Sequence, residues 1–217
     1  MTVYLIPLGP DRFDLYSEAP EETGDAHAPV RRDSWMQRAH RQWRDLVQSA
    51  SRGTSTSRFG RWRDALVGRL AESIAEQRTL WALGRQTHAT LVFPPSLSAD
   101  GADATRVRLI TAARRHHGIW LAVDLPLLIV SGILAPIPGP NAIAYFLAFR
   151  VVGHLLTWRG AQQGLKRIRW TLLADAHLDE LPALIATPSS KRSRRLEEIA
   201  VALRLPRLAA FVERVAR

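Results

Sequence analysis

The chain opens on a β-rich apolar run followed by an alternating one, its apolar residues then recur every three or four positions, and it becomes almost wholly apolar between His117 and Trp158. The opening Thr2-Val3-Tyr4-Leu5-Ile6-Pro7-Leu8, the turn Gly9-Pro10-Asp11 and the alternating Arg12-Phe13-Asp14-Leu15-Tyr16 predict a small β-hairpin. The acidic stretch Glu18 to Val30 reads as loop. Asp33 to Ala50 predicts an amphipathic helix, with Trp35, Ala39, Trp43, Leu46 and Ala50 on one face. After a Ser/Thr/Gly linker, Ser49 to Ser57, a second helix is expected from Arg61 to Leu83, antiparallel to the first. Thr90 to Phe93 predicts a short third strand stopped by Pro94-Pro95. Ala102 to His117 reads as a basic helix, Gly164 to Leu173 as further helix, and Thr187 to Lys191 as loop. Arg195 to Val215 reads as two short helices broken at Pro206. The class is mainly α: a helical hairpin or bundle with a small N-terminal β-hairpin. Four segments follow: 1–30, the β-hairpin and acidic loop; 31–117, basic and amphipathic helical; 118–160, an apolar helical hairpin; and 161–217, basic and helical.

The apolar stretch carries two full charges, Asp124 and Arg150, and folds about Pro136-Ile137-Pro138-Gly139-Pro140-Asn141. An arm of about 18 residues measures roughly 27 Å, near the ~30 Å hydrocarbon core of a bilayer. Trp120 and Trp158 lie near the two mouths, where aromatic residues gather at membrane interfaces. Basic flanks on both sides (Arg106, Arg108, Arg114, Arg115; then Arg159, Lys166, Arg167, Arg169) then put both ends in the cytoplasm, with the proline-rich turn on the far side or within the bilayer. Folding the chain at Ile137 sets Asp124 opposite Arg150 and Trp120 opposite His154. An intramembrane Asp124–Arg150 pair is expected, with His154 one turn nearer the mouth; Asp124 and His154 are the groups of the hairpin able to take up a proton. A plainer reading stands beside it. Asp124 is a helix N-cap with Pro126 in the first turn, so the first arm runs only from Leu125 to Ala135, about 16 Å. Arms that short make a re-entrant hairpin, or a buried pair in a soluble helical protein.

Composition narrows the chemistry. The 217 residues include no cysteine, which excludes disulfides, cysteine-ligated zinc and thiol catalysis. A net charge of +10 favours acidic partners. The first 25 residues hold one base against six acids, unlike a signal or transit peptide. An anionic membrane surface suits the basic coat. The alternative from another class is a soluble basic helical protein that binds nucleic acid or an acidic protein, through Arg31-Arg32, Arg41, Arg44, Arg58, Arg61, Arg63 and the run Lys191-Arg192-Ser193-Arg194-Arg195. The tryptophans recur at helical spacing and read as core rather than stacking platforms, so nucleic acid is the disfavoured partner.

No phosphate-binding glycine loop and no nucleophile–base spacing is present. Asp175, His177, Asp179 and Glu180 diverge on a helix and read as a solvated polar face rather than metal ligands. His116-His117 reads as an interfacial pair. Gly160-Ala161-Gln162-Gln163-Gly164 fits close helix packing better than dimerisation. No catalytic residue, metal or cofactor is expected, and the chain is read as a non-enzyme.

The run Pro136-Ile137-Pro138-Gly139-Pro140-Asn141, followed by Tyr145-Phe146, Arg150, His154 and Gly160, resembles the mitochondrial K+–H+ exchange-related family, as do Tyr4-Leu5-Ile6-Pro7 and Arg12 to Tyr16. That family has fungal mitochondrial members and bacterial relatives; without a transit peptide this chain looks like a bacterial one, which implies the bacterial cytoplasmic membrane with both termini cytoplasmic. The main motif covers residues 120–164 and is moderately specific. The resemblance implies a membrane protein linked to potassium–proton exchange, as a supporting factor rather than the exchanger. By position it carries over Pro138, Pro140, Asn141, Tyr145 and Arg150; Asp124 is not carried over. Two short arms cannot form a transport pathway alone, so direct transport demands a homo-oligomer or a membrane-protein partner.

Overall fold

The structure, a computed structural model, describes residues 1–18, 78–133 and 141–215, with the side chains of 132–145, 189–190 and 214–215 outside the description. The expected helix Asp33 to Ala50, most of Arg61 to Leu83, the Ser49 to Ser57 linker and the turn Pro136, Pro138, Gly139 and Pro140 lie outside the described residues, as do the side chains of Asn141 and Tyr145. Residues 1–18 belong to the same compact unit as 78–215.

The chain opens with β1 (Thr2–Gly9) and β2 (Arg12–Tyr16), paired antiparallel with Leu5 opposite Leu15. Gly9 at φ 153° and Asp11 at φ 55° make the tight connection, which needs positive φ at both. A helical segment ends at Leu83, and β3 (His88–Phe93) then pairs parallel to β1. Two long helices follow, α1 (Ala99–Ile133) and α2 (Asn141–Lys166). The chain returns as β4 (Arg169–Ala174), parallel to β3, giving the sheet order β2-β1-β3-β4. A 3-10 turn (Ala176–Glu180), then α3 (Leu181–Ile185), α4 (Ser189–Ala202) and α5 (Leu208–Val215), complete the described fold.

The sheet is covered on both faces. Val3, Leu5, Leu91 and Phe93 join Ala102, Ile110 and Ala161 of the helical hairpin. Ile6 and Val92, one residue out of phase on the same strands, join Leu178, Leu181, Leu196, Ile199, Leu208 and Phe211. Side chains alternate across a strand, so β1 and β3 serve two cores at once.

The described chain is mostly helical, 64%, and has the expected N-terminal strand pair. Four sequence expectations change. Gly164 to Leu173 is not continuous helix: α2 stops at Lys166 and β4 begins at Arg169. Its last turn is closed by Gly164 O, which accepts from Trp170 Nε1 at 2.9 Å and from Arg106 at 3.4 Å. Six ladder positions on β3 then outweigh the local helix preference of a Leu-rich stretch. Asp124 is no N-cap, because α1 is one 35-residue helix that runs through both Asp124 and Pro126. Its cap is Ser98, whose Oγ accepts from Gly101 N at 3.1 Å. Ser189 begins α4 rather than lying in a loop, directly after Pro188. The run Lys191 to Arg195 is not a free phosphate-contact surface. Arg192 makes a forked pair with Glu213 at 2.8 and 2.7 Å, Arg195 pairs with Glu180 and Glu198, and Arg194 with Glu198.

Candidate functional site: a polar interior in an apolar hairpin

Hydrophobic burial should turn the apolar residues of two paired helices inward. In the outer part of this hairpin the arrangement is reversed. Among residues 119–131 of α1, Asp124 alone is buried, at 2% exposure. Around it Ile119, Val123, Leu125, Leu127, Ile129 and Val130 face outward, Ile129 at 60%. On α2 Val152 and Leu155 are exposed, while His154 and Thr157 turn inward.

Helical spacing assembles the interior. His117 and Asp124 are seven apart on α1, and Arg150 and His154 four apart on α2, so each pair shares a face. Arg150 Nε donates to Asp124 Oδ2 at 2.9 Å. The guanidinium also sits 5.2 Å from the ring centre of Trp120 and 5.8 Å from that of Phe146, on whose faces a cation is favoured. His154 Nε2 lies 3.4 Å from the same Asp124 oxygen, and its Nδ1 lies 2.8 Å from His117 Nδ1. With both rings neutral, one arrangement satisfies both contacts. His117 Nδ1–H donates to His154 Nδ1, and the His154 Nε2–H turns to the carboxylate. Below this cluster Trp81 Nε1 donates to Thr157 Oγ1 at 2.7 Å, and Thr157 donates to Gly153 O at 2.9 Å.

Burial lowers the pKa of His117 from 6.5 to about 4, with His154 and His116 adding like charge when protonated. Burial also lowers that of His154; Asp124 opposes the shift, and Arg150 and His116 reinforce it. For a base whose folded pKa lies below its unfolded value, the unfolded chain takes up the proton first, so folding loses stability as pH falls. The hairpin is therefore expected to be fully stable above pH 6.5 and to weaken progressively from there to about pH 4. Thermal melts across that range test this. In His117→Gln the acid loss should shrink, and an unchanged pH profile would place the titration elsewhere.

The residues singled out in the sequence are thus partly brought together. Asp124, Arg150 and His154 meet, and Trp120 packs on Arg150 and His116 rather than opposite His154. Trp158 lies against Gly118, where an added Cβ would meet its Cδ1 at 3.3 Å. Sequence reasoning misses His117 as the partner of His154, although its spacing of two turns from Asp124 is an available signal. It also misses Phe146 beneath Arg150. Asp175 Oδ1 caps the 3-10 turn, accepting from His177 N at 3.0 Å, Asp179 accepts from Ser96, and Glu180 pairs with Arg195. Among the described residues no group of three His, Asp or Glu side chains is placed to hold a metal.

Among the described residues no helix is long and apolar enough to cross a membrane. This corrects the placement in the bacterial cytoplasmic membrane with both termini cytoplasmic. That placement needed two spanning arms. From Gly118 to the end of α1 at Ile133 the helix rises only about 24 Å, with a carboxylate midway. Against family models, curated proteins and solved structures, the chain has no match.

Proposed function

We propose that this is a membrane-associated accessory protein whose hairpin enters the apolar phase part-way, as a re-entrant element, and which supports potassium–proton exchange without carrying the ions itself. The observation that carries the membrane part is the polarity of the hairpin's outer part: its two charges pair between the helices, and Ile119, Val123, Leu125, Leu127, Ile129, Val130, Val152 and Leu155 face outward. An exposed apolar patch of this kind marks a contact surface. A charge facing lipid costs about 2.5–3.5 kcal/mol on the insertion scale, which gives the inward pairing of Asp124 and Arg150 its physical motive. From Ile119 to Ile133 the helix rises roughly 22 Å, more than one leaflet's apolar depth and less than the ~30 Å core.

The exchange part rests on the likeness of residues 120–164 to the exchange-related family and on Asp124, His117 and His154 meeting in one cluster. Two helices around a closed cluster offer no pathway, so the role is accessory and no catalytic step is assigned.

Flotation with phosphatidylcholine vesicles tests the membrane part. The wild type should float in high salt, and Leu127→Glu/Ile129→Glu/Val130→Glu should not. A triple variant that floats like the wild type would contradict it. Deleting the gene should depress potassium–proton flux in the host cell, and unaltered flux would remove the exchange role while leaving the membrane role standing.

A further inference from the structure

At the base of the apolar segment, one face of α1 forms a groove of about 520 Å³ with Trp158 of α2 as its wall. Its lining changes character along the helix. Thr111, Arg114 and Arg115 form the end nearer the sheet, and Ile119 and Ala122 the end nearer the hairpin tip. Gly118 forms the floor between them; an added Cβ would meet Trp158 Cδ1 at 3.3 Å, so the glycine lets the indole lie close. These positions follow each other at three- and four-residue steps, so they form one continuous strip about 16 Å long.

The polar end is built for an anion. Arg114 is held by donating to Gln162 Oε1 at 2.7 Å, which leaves its other N–H groups available. Arg115 is exposed and has no partner among the described residues. No Asp or Glu occurs on α1 between Asp103 and Asp124, nor anywhere on α2, so nothing on the hairpin offsets these cations at this level. Exposed Arg108, Arg159 and Lys166 extend the same sign along both helices, and Arg167 continues it just past α2. Guanidinium forks match phosphate oxygens better than a point charge does.

Resting on the membrane reading above, we propose that this groove binds one anionic phospholipid. The headgroup phosphodiester lies between Arg114 and Arg115 with the Thr111 hydroxyl donating to it, and an acyl chain runs along Gly118, Ile119 and Ala122 beside Trp158. The depths agree. The arginines stand one turn before the first exposed apolar residue of the hairpin segment, Ile119, and Trp158 sits at the polar–apolar boundary where indoles collect.

Binding of the full chain is measured by flotation against vesicles of phosphatidylcholine alone and of equal parts phosphatidylcholine and phosphatidylglycerol. The wild type should prefer the mixed vesicles. Arg114→Gln/Arg115→Gln should weaken binding to them about thirtyfold, the product of two surface cations, while binding to phosphatidylcholine persists. Arg114→Lys/Arg115→Lys keeps the charge but should still lose several-fold, because the fork is gone. Arg204→Gln/Arg207→Gln removes equal charge far along the chain and should bind like the wild type. Circular dichroism melts confirm that each variant folds. A preference for phosphatidylglycerol that survives Arg114→Gln/Arg115→Gln, or falls equally in Arg204→Gln/Arg207→Gln, would overturn the site in favour of diffuse attraction. Binding to phosphatidylcholine without any preference for the mixed vesicles would overturn the site alone; no binding to either vesicle would overturn the membrane reading with it.

Discussion

Replacing Arg150 with methionine is expected to lower the free energy of unfolding by about 3 kcal/mol, the lower end of what breaking a buried ion pair costs. The side chain of Asp124 is 3% exposed and that of Arg150 is 31%, so the loss falls on the carboxylate. Without the guanidinium, Asp124 faces, among the described residues, His154 at 3.4 Å, whose own burial disfavours the charge that would compensate it. The remedy identifies the cause. Asp124→Leu/Arg150→Met removes both charges and should recover most of the stability, because an apolar pair of similar volume avoids the desolvation penalty. Asp124→Arg/Arg150→Asp should recover more than either single exchange. Urea unfolding of the wild type and these variants measures this. If Arg150→Met stays within about 0.5 kcal/mol of the wild type, as an ordinary surface substitution does, the carboxylate is not held by this pair.

The second large effect is expected at Gly160. A Cβ built there lies 1.8 Å from Leu80 O and 2.6 Å from Leu80 C, both backbone atoms. No side-chain rotation relieves that overlap, so Gly160→Ala must push the segment ending at Leu83 away from α2. The displacement would loosen Leu80 and Leu83 in the sheet-side core and lengthen the Trp81–Thr157 hydrogen bond. About 3 kcal/mol is expected, the upper range for overpacking, despite the gain of about 1 kcal/mol in helix propensity. Gly164→Ala is the control. Its Cβ would meet only the side-chain ends of Ile110 and Leu83 at 3.3 and 3.4 Å, which can give way. Equal thermal stability of the two variants would show that the close crossing at Gly160 does not form.

These two sites also show how much is legible in the sequence. Gly160 and Gly164 are visible as a small-residue repeat, but the segment that crosses Gly160 is not, because no local pattern links residues 78–83 to α2. Asp124 and Arg150 can be placed opposite one another because a hairpin with a proline-rich turn fixes depth by counting. His117 escapes the same counting because its neighbour His116 invites a reading as a pair, whereas adjacent helical residues diverge and only His117 turns inward. β1 shows in its β-rich run, β2 in its alternation, and β3 in its apolar run before Pro94. β4 does not: Arg169–Ala174 has helix-compatible residues, and its identity depends on the edge of β3, which lies far earlier in the chain, before both long helices. Pro126 misleads for a related reason. It usually marks a first turn, yet here the packing of α1 along α2 carries the helix through it.

On the proposed membrane reading, the outward face of the hairpin, and not the rest of the surface, enters an apolar phase. The chain has no cysteine, so single cysteines can be placed without background. An environment-sensitive fluorophore is attached at Ile129→Cys on the hairpin, or at Val201→Cys on α4, both exposed positions. On adding phosphatidylcholine vesicles, the label at position 129 should shift to the blue and become shielded from an aqueous quencher, while the label at 201 should stay in water. A label at 129 that remains as accessible as the one at 201, in protein that has bound the vesicles, would contradict the claim.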